Sequence, residues 1–581
     1  MNPSTALATV LVDELVRRGV RHAVLCPGSR SAPLAYALRE AERAGRIELH
    51  VRVDERSAGF LALGLAKLTR VPAVVVTTSG TAVANLHPAV LEAHHGVVPL
   101  LVLSADRPVE LRGTGANQTT VQPGLFADAV RWSVDVAAPQ PVAGEVARWR
   151  AIGADAVRHA TGGAGPGEPG PVHVNVQLRE PLVPTDDAPW LEPLDVGGPG
   201  GPTEGATEAA PAPAPAVAAG APAVRDVSRE PARTLVVVGD LPEPDQFDRA
   251  VRWATARGWP VLAEPCGTHP RGAVVAHGPL VLSDPSWLDE HAPDRVIAVG
   301  RLTLSRPVAA LLRRPGVRVE AVGTHAWIVS RPEVQAVHPT SVLDLPVDGE
   351  GLDGDAVSGE DGWAEAWAAA GDRVADALRE PAPLWPSGAA VADAVLTGLP
   401  EGATLFLGSS SSVRDVDLAA PRREALRVVA SRGLAGIDGC VSTAVGLALA
   451  GASPTYALMG DLTFLHDSNG LLVGPLERRP DLTVVVTNDD GGGIFTLLEP
   501  GEPDRSAEFE RLFGTPTGAD LAALCAAHHV THHTIATRAE LLAGLAKAPS
   551  GLTVLEVPVD RAAHRDQHAR LRERAAAALR P

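Results

Sequence analysis

The chain has 581 residues, 45% of them apolar and 21% charged, with a formal net charge of −18; this is a globular protein long enough for about three or four domains, each with a core of its own. The acidic balance argues against nucleic acid or an anionic membrane as the main partner, because both reward a basic face. No apolar run reaches the roughly 20 residues that a bilayer span requires, so no membrane insertion is expected.

The N-terminal stretch MNPSTALATVLVDELVRRGV has no basic leader, and acidic residues interrupt its apolar pattern, so it is not expected to act as a signal peptide. Leu7, Val10, Leu11 and Leu15 recur at helical spacing, with Asn2 or Ser4 as the cap and Pro3 beside it. A first helix of a cytoplasmic protein is expected. Residues 1–183 then alternate the strands HAVLCPG, AVVVTTSG, LLVLSAD and VHVNVQL with helical stretches such as AVANLHPAVLEAHH. That alternation predicts a parallel sheet covered on both faces.

Residues 184–230, with the run GGPGGPTEGATEAAPAPAPAVAAGAPA, read as a low-complexity linker. A second α/β pattern covers 231–350, with strands in RTLVVVGD, WPVLAEP, DRVIAVG and VRVEAVG; it lacks GxGxxG, and neither FAD nor NAD is expected there. The acidic, glycine-rich run DGEGLDGDAVSGEDG marks a connector, taken as 351–384. A third α/β unit, 385–581, has strands in TLFLGSS, TYALMGD, LTVVVTND and LTVLEVP. The predicted fold class is α/β, with three doubly wound parallel-sheet domains. Ligands of such sheets sit beyond the carboxyl ends of the strands, which points to the loops after TTSG, LFLG, ALMGD and VVVTND.

Two of those loops carry oxygen ligands. In GDLTFLHDSNGLLVGPLERRPDLTVVVTNDDGGGIF (460–495), Asp461 ends one strand and Asn488-Asp489 ends the next. Strands consecutive in sequence are often neighbours in the sheet, so both loops can meet. Carboxylates, an amide and a glycine-turn carbonyl are hard ligands that suit Mg²⁺, an ion that commonly also binds phosphates. The glycines are expected to let the backbone approach such a phosphate closely. An acidic turn with no ligand is the plain alternative.

Other features read as structural. Cys26, Cys266, Cys440 and Cys525 are far apart with no CxxC, so neither a zinc site nor a disulfide framework is indicated. His94-His95 and His532-His533 are adjacent pairs pointing to opposite faces. His564 and His568, four apart on a C-terminal helix, read as a solvated face.

The spacing of Gly-Asp and Asn-Asp resembles the thiamine diphosphate motif of the decarboxylase and acetohydroxyacid synthase superfamily. Within it, CPGSRSAPL (26–34), TTSGTAVANLHPAVLEA (77–93), SADRPVELRGTGANQT (104–119), SSSSVRD (409–415), SRGLAGIDGCVSTAVG (431–446), GDLTFLHDSNGLL (460–472) and NDDGGGIFTLLEP (488–500) together resemble the 2-succinyl-5-enolpyruvyl-6-hydroxy-3-cyclohexene-1-carboxylate synthase family. The resemblance covers the first and third domains and only loosely the middle one. It implies a transferase of menaquinone biosynthesis that decarboxylates 2-oxoglutarate on thiamine diphosphate and adds the product to isochorismate. It implies Mg²⁺, with Mn²⁺ as an alternative, held by Asp461, Asp489 and Gly491, Asn488 being a second candidate for the middle position. Glu55, after the strand at 49–53, is implied as the catalytic acid that hydrogen-bonds the cofactor's aminopyrimidine. Gly408, Ser409, Gly436, Asp438, Gly460 and Leu462 are further implied cofactor contacts. Ile437 is implied as the wedge beneath the cofactor, and Ile494 and Phe495 as pocket walls.

For the two dicarboxylate substrates the resemblance implies Arg30, Arg107, Arg414 and Arg432, with Ser29, Gln118 and Ser410 as neutral partners. Arg306 stands where the family often has a lysine. It also implies a homodimer or homotetramer with active sites between subunits. The rival readings are another thiamine-diphosphate-dependent 2-oxoacid decarboxylase or carboligase, and a non-catalytic protein that retains the fold.

Overall fold

The computed structural model describes residues 1–164, 167–185, 190–195, 233–243, 245–267, 273–323, 332–344, 362–380, 382–419 and 426–580. These residues form three parallel sheets, as the strand–helix alternation predicts. The first contains β1 (His22–Leu25), β2 (Glu48–Val51), β3 (Ala73–Thr77), β4 (Leu100–Asp106), β5 (Trp132–Val136) and β6 (Pro171–Gln177), in the order β2-β1-β3-β4-β6-β5. The second contains β7 (Thr234–Val238), β8 (Val261–Ala263), β9 (Arg295–Val299), β10 (Arg318–Val322) and β11 (Val334–His338), ordered β11-β10-β9-β7-β8. The third contains β12 (Thr404–Leu407), β13 (Arg427–Ala430), β14 (Thr455–Gly460), β15 (Leu482–Asn488), β16 (Thr531–Thr534) and β17 (Leu552–Pro558), ordered β13-β12-β14-β15-β17-β16.

Central strands such as β3, β4 and β6 are buried along their whole length. Helices on both faces leave no solvated side, and this is why their sequences are nearly unbroken apolar runs. The strands that the sequence pattern did not reveal, β5, β11, β13 and β16, all lie at sheet edges. They bury less and carry polar residues, as in WSVDV and THHT.

By contacts the chain divides into two compact units. One gathers the first sheet with Gly433–Ala452 and His466–Pro480; the other holds the second and third sheets. In the first unit the Glu55–Thr69 helix packs on the Cys440–Ala450 helix. A Cβ on Gly64 would come within 2.2 Å of the Thr443 carbonyl, and one on Gly446 within 2.4 Å of the Leu61 carbonyl. Only glycine permits so close a crossing.

The first helix, Pro3–Arg17, is capped by Asn2, whose side chain accepts from Thr5 N; Ser4 instead donates to the Arg179 carbonyl. Most of the 184–230 linker lies outside the described residues; within it Trp190 and Leu194 pack on the core of the first sheet. The 351–384 connector contains a helix, Trp363–Arg379. Its Trp367 is fully buried against Trp287, ring centroids 4.7 Å apart, beside Leu571 and Leu579 of the His564–Leu579 helix. The tryptophans and Val374 form an apolar stripe that the acidic run before it obscures.

Candidate functional site

The order of the third sheet reverses between β12 and β14, where an α/β sheet opens its ligand crevice. The loops leaving those strands are Gly408-Ser409-Ser410 and Gly460-Asp461. Asp461 opens a short helix, Asp461–His466, directly after β14. β14 pairs with β15, Gly460 lying opposite Thr487, so Asp489 emerges beside Asp461.

Asp461 is buried, to 3% exposure, and the side chain of the half-buried Asp489 is 8% exposed. Burial pushes the Asp461 carboxyl up to about 6, against hydrogen bonds from the Gly491 and Leu462 backbones. Burial first, and then the Asp461 charge, push Asp489 up to about 7. Asp461 Oδ2 accepts from Gly491 N at 2.8 Å, whereas Asp489 Oδ1 is buried with no hydrogen-bond partner. Two neighbouring carboxyl groups of raised pKa, one pushed up by the charge of the other and left with an unmet oxygen, fit a hard divalent cation. Asn488 is committed elsewhere: its amide nitrogen donates to Glu556 Oε1 at 2.6 Å, and its oxygen accepts from Asp490 N.

The three glycines have a reason inside the chain. A Cβ at Gly491 would lie 1.9 Å from the Gly514 carbonyl oxygen, at Gly492 2.2 Å from that of Phe513, and at Gly493 1.8 Å from Asp489 Oδ2. The loop is threaded between residues 513–514 and the acid, whatever else it contacts.

Arg561, at the carboxyl end of β17, donates to the carbonyls of Asp489 and Asp490 and pairs with Glu510. The strand-end rule applied to LTVLEVP would have found it. His564 and His568 are not a solvated face. Both are buried; His568 Nε2 lies 3.0 Å from Asp415 Oδ1, and His564 Nδ1 is 3.9 Å from Asp489 Oδ2. Their helix turns these two histidines inward while Asp566, Arg570, Arg572 and Glu573 stay exposed.

Around the same edge, Ser409 is buried with its hydroxyl unpartnered, and its carbonyl accepts from Thr463. Ser410 has a positive φ of 85°, and its carbonyl accepts from Arg414 Nη1 at 2.7 Å. Arg432 is buried and donates to Thr303 Oγ1 at 2.7 Å. Burial lowers the Arg414 pKa, followed by the charges of Arg432 and Arg306, so these three cations share one region. Arg306 is its exposed member, 3.6 Å from the equally exposed Glu499. Ile494 and Phe495 are half-buried on the Gly493–Leu497 turn, Phe495 against Phe513.

The other expected residues lie in the first unit. Glu55 begins the Glu55–Thr69 helix, half-buried, with Asn85 Nδ2 3.4 Å from Oε2. Its neighbours are pinned: Asp54 caps the helix and accepts from Asn469, and Ser57 donates to the buried Asp467. The first sheet reverses between β1 and β3, which brings the CPGSRS and TTSG loops together. Arg30 donates to the Leu178 carbonyl, and Arg107 to Ser79 Oγ and the Gln118 carbonyl. Burial lowers the Arg30 pKa and Arg107 lowers it further; Ser29 and Gln118 are exposed beside them. Gly436, Ile437 and Asp438 lie half-buried on the loop that leads to the Cys440–Ala450 helix. Glu92, inside a matched motif but not singled out from sequence, holds that loop. Its buried carboxylate accepts from Gly433 N and Leu434 N, both at 2.7 Å.

Residues 5–126 match the thiamine pyrophosphate enzyme N-terminal TPP binding domain, and residues 411–557 the C-terminal TPP binding domain. The chain is 47% identical over 576 residues to the 2-succinyl-5-enolpyruvyl-6-hydroxy-3-cyclohexene-1-carboxylate synthase of Saccharopolyspora erythraea, covering 98% of both chains. It is 49% identical over 570 residues to the synthase of the same name from Kineococcus radiotolerans, covering 96% of both. The chain belongs to this synthase family. It is a thiamine-diphosphate-dependent transferase, the carboligase of menaquinone biosynthesis that the motifs implied. In fold it is similar to benzoylformate decarboxylase from Polynucleobacter necessarius, with a TM-score of 0.62 at 17% identity over 97% of this chain and 99% of that one.

Two outcomes are expected from this geometry. Asp461 and Asp489 hold protons more tightly folded than unfolded, so between about pH 4 and 7 they subtract stability from the cation-free protein as pH rises. Mg²⁺ should therefore raise the melting temperature more at pH 8 than at pH 5; a gain independent of pH would contradict the pairing. Glu92→Ala should leave two backbone N–H groups unmet, cost about 1–3 kcal/mol in denaturant unfolding and weaken thiamine diphosphate binding, with Glu92→Gln intermediate.

Proposed function

We propose that the chain decarboxylates 2-oxoglutarate and adds the resulting four-carbon unit to isochorismate, using thiamine diphosphate anchored through Mg²⁺. The carrying observation is the pair of arginine clusters, Arg30 with Arg107 and Arg414 with Arg432 and Arg306, in each of which like charges depress a partner's pKa. Cations gathered in this way call for anions, and both substrates are dicarboxylates. Guanidinium grips a carboxylate through two parallel hydrogen bonds, which selects these substrates over neutral-tailed 2-oxoacids.

The cation would be held by Asp461, Asp489 and the Gly491 carbonyl. Asp489 is preferred to Asn488 because its Oδ1 is free while the amide is engaged. Bound thiamine diphosphate supplies the electron sink that lets a 2-oxoacid lose CO₂. Glu55 would hold a proton at its carboxyl against the cofactor's aminopyrimidine ring. Asp54, Ser57 and Asp467 fix where that carboxyl stands. Ile437, on the loop held by Glu92, would support the ring system from below, with Gly436, Asp438, Gly408, Ser409, Gly460 and Leu462 as backbone and small-side-chain contacts. Ile494 and Phe495 would line the substrate side and exclude water; Ser29, Gln118 and Ser410 would hydrogen-bond the substrates.

The 1–183 and 385–581 regions take the pyrimidine-binding and diphosphate-binding roles in this reading, and a homodimer or homotetramer completes each site between subunits. Among the described residues no helix is long and apolar enough to cross a membrane, and the four cysteines are buried and form no disulfide. The thiols support a reducing, cytoplasmic setting.

Glu55→Gln should lower turnover at least about 10²–10⁴-fold, the usual contribution of a general acid–base. The thermal stabilisation by Mg²⁺ and thiamine diphosphate should persist in the variant. Near-normal turnover would remove Glu55 from the mechanism.

A further inference from the structure

We propose that the edge of the first sheet holds a second cation site, for a divalent transition metal of the zinc class, formed by His22, Glu48 and His50. β1 and β2 run parallel with His22 opposite Glu48 and Val24 opposite His50. The two-residue period of a strand puts Glu48 and His50 on one face, beside His22. His22 Nδ1 lies 3.7 Å from Glu48 Oε2, and His50 Nε2 lies 3.9 Å from Glu48 Oε1. The three ligand atoms are all within 4.8 Å of one another. The imidazole rings are stacked, centroids 5.8 Å apart and planes 20° apart.

The independent observation is that both ring nitrogens are orphaned. His50 is 1% exposed, and neither its Nε2 nor His22 Nδ1 has a hydrogen-bond partner. Buried polar atoms are rarely left so. Burial also keeps both rings neutral, His50 being pushed down to about 4, which leaves a lone pair available on each ring. Two imidazoles and a carboxylate form a zinc ligand set with one position open to water. Zn–N and Zn–O bonds of about 2.0–2.2 Å need the ligand atoms somewhat closer than they stand, a difference side-chain rotation supplies.

Of the charged groups nearby, Arg478 Nη1 donates to Glu48 Oε1 at 2.8 Å. Its side chain is 55% exposed and can turn to solvent. Arg52 and Glu477 pair with each other at 3.6 Å. The site shares no residue with the Asp461–Asp489 pair. Because β2 runs directly toward Asp54 and Glu55, a metal here would staple the edge strand that delivers the catalytic acid.

The test uses the full-length chain, stripped with chelator and kept in excess Mg²⁺, then titrated with Zn²⁺ by calorimetry and with Co²⁺ by visible absorption. One zinc per chain should bind without displacement by Mg²⁺, and Co²⁺ should give the bands of an imidazole–carboxylate site. Glu48→Gln and His50→Gln should each weaken binding at least about 100-fold, ligand loss costing no less than the 10–100-fold of a supporting contact. Asp461→Asn should leave it intact. If His50→Gln does not fold, the more exposed His22→Gln serves. No zinc uptake, uptake unchanged in the histidine variants, or uptake lost in Asp461→Asn would each overturn the proposal.

Discussion

Asp461 and Asp489, two carboxyl groups buried side by side at the ends of adjacent parallel strands, are the constraint on which the third sheet is organised. Burying a carboxylate is costly and burying two together more so. The surrounding chain meets part of that cost: Gly491 donates to Asp461, Arg561 grips the carbonyls of residues 489 and 490, and His564 stands behind Asp489. It does not meet all of it, because Asp489 Oδ1 remains unpaired. A divalent cation would complete the set, and the diphosphate it would carry follows from the same oxygen-ligand chemistry. The glycine run lets the loop pass close enough to residues 513–514 to keep the acids in place.

In the other unit the same device works in reverse, with single buried carboxylates organising backbone. Glu92 ties down the start of the loop that bears Ile437. Asp467 accepts from Ser442 N, Ser442 Oγ and Ser57 Oγ, and burial pushes it up to about 6. It therefore links the helix begun by Glu55 to the helix that follows the Ile437 loop. The glycine-mediated crossing of those helices, at Gly64 and Gly446, fixes their separation. Residues far apart in sequence are thus held in register by a few charge-assisted hydrogen bonds, stronger than neutral ones.

Much of this was legible in the sequence because buried parallel strands and strand-end motifs leave direct marks. The runs LLVLSAD and LTVVVTND are apolar since both faces of β4 and β15 are covered. Asp461, Asn488 and Asp489 stand out as oxygen ligands at strand ends. What the sequence concealed has physical reasons. Edge strands such as THHT bury too little to look apolar. The Trp363–Arg379 helix sits behind an acidic run that dominates local composition. His564 and His568 look solvent-facing until Asp489 and Asp415 are found beside them, and the proposed preference for Asp489 over Asn488 rests on Glu556, a neighbour in space supplied by β17. Glu92 resembles any helix-surface acid until its two backbone donors, more than 300 residues away, are located.

The proposed reaction of this family member joins a 2-oxoglutarate-derived unit to isochorismate. It is tested most directly by incubating the chain with Mg²⁺, thiamine diphosphate and 2-oxoglutarate, with and without isochorismate, and following CO₂ and the adduct by mass. An adduct that forms only when isochorismate is present, with CO₂ released in equal amount, is the predicted result. Rapid CO₂ release with no adduct would contradict the assignment of the acceptor, and no turnover despite bound cofactor would contradict the account as a whole.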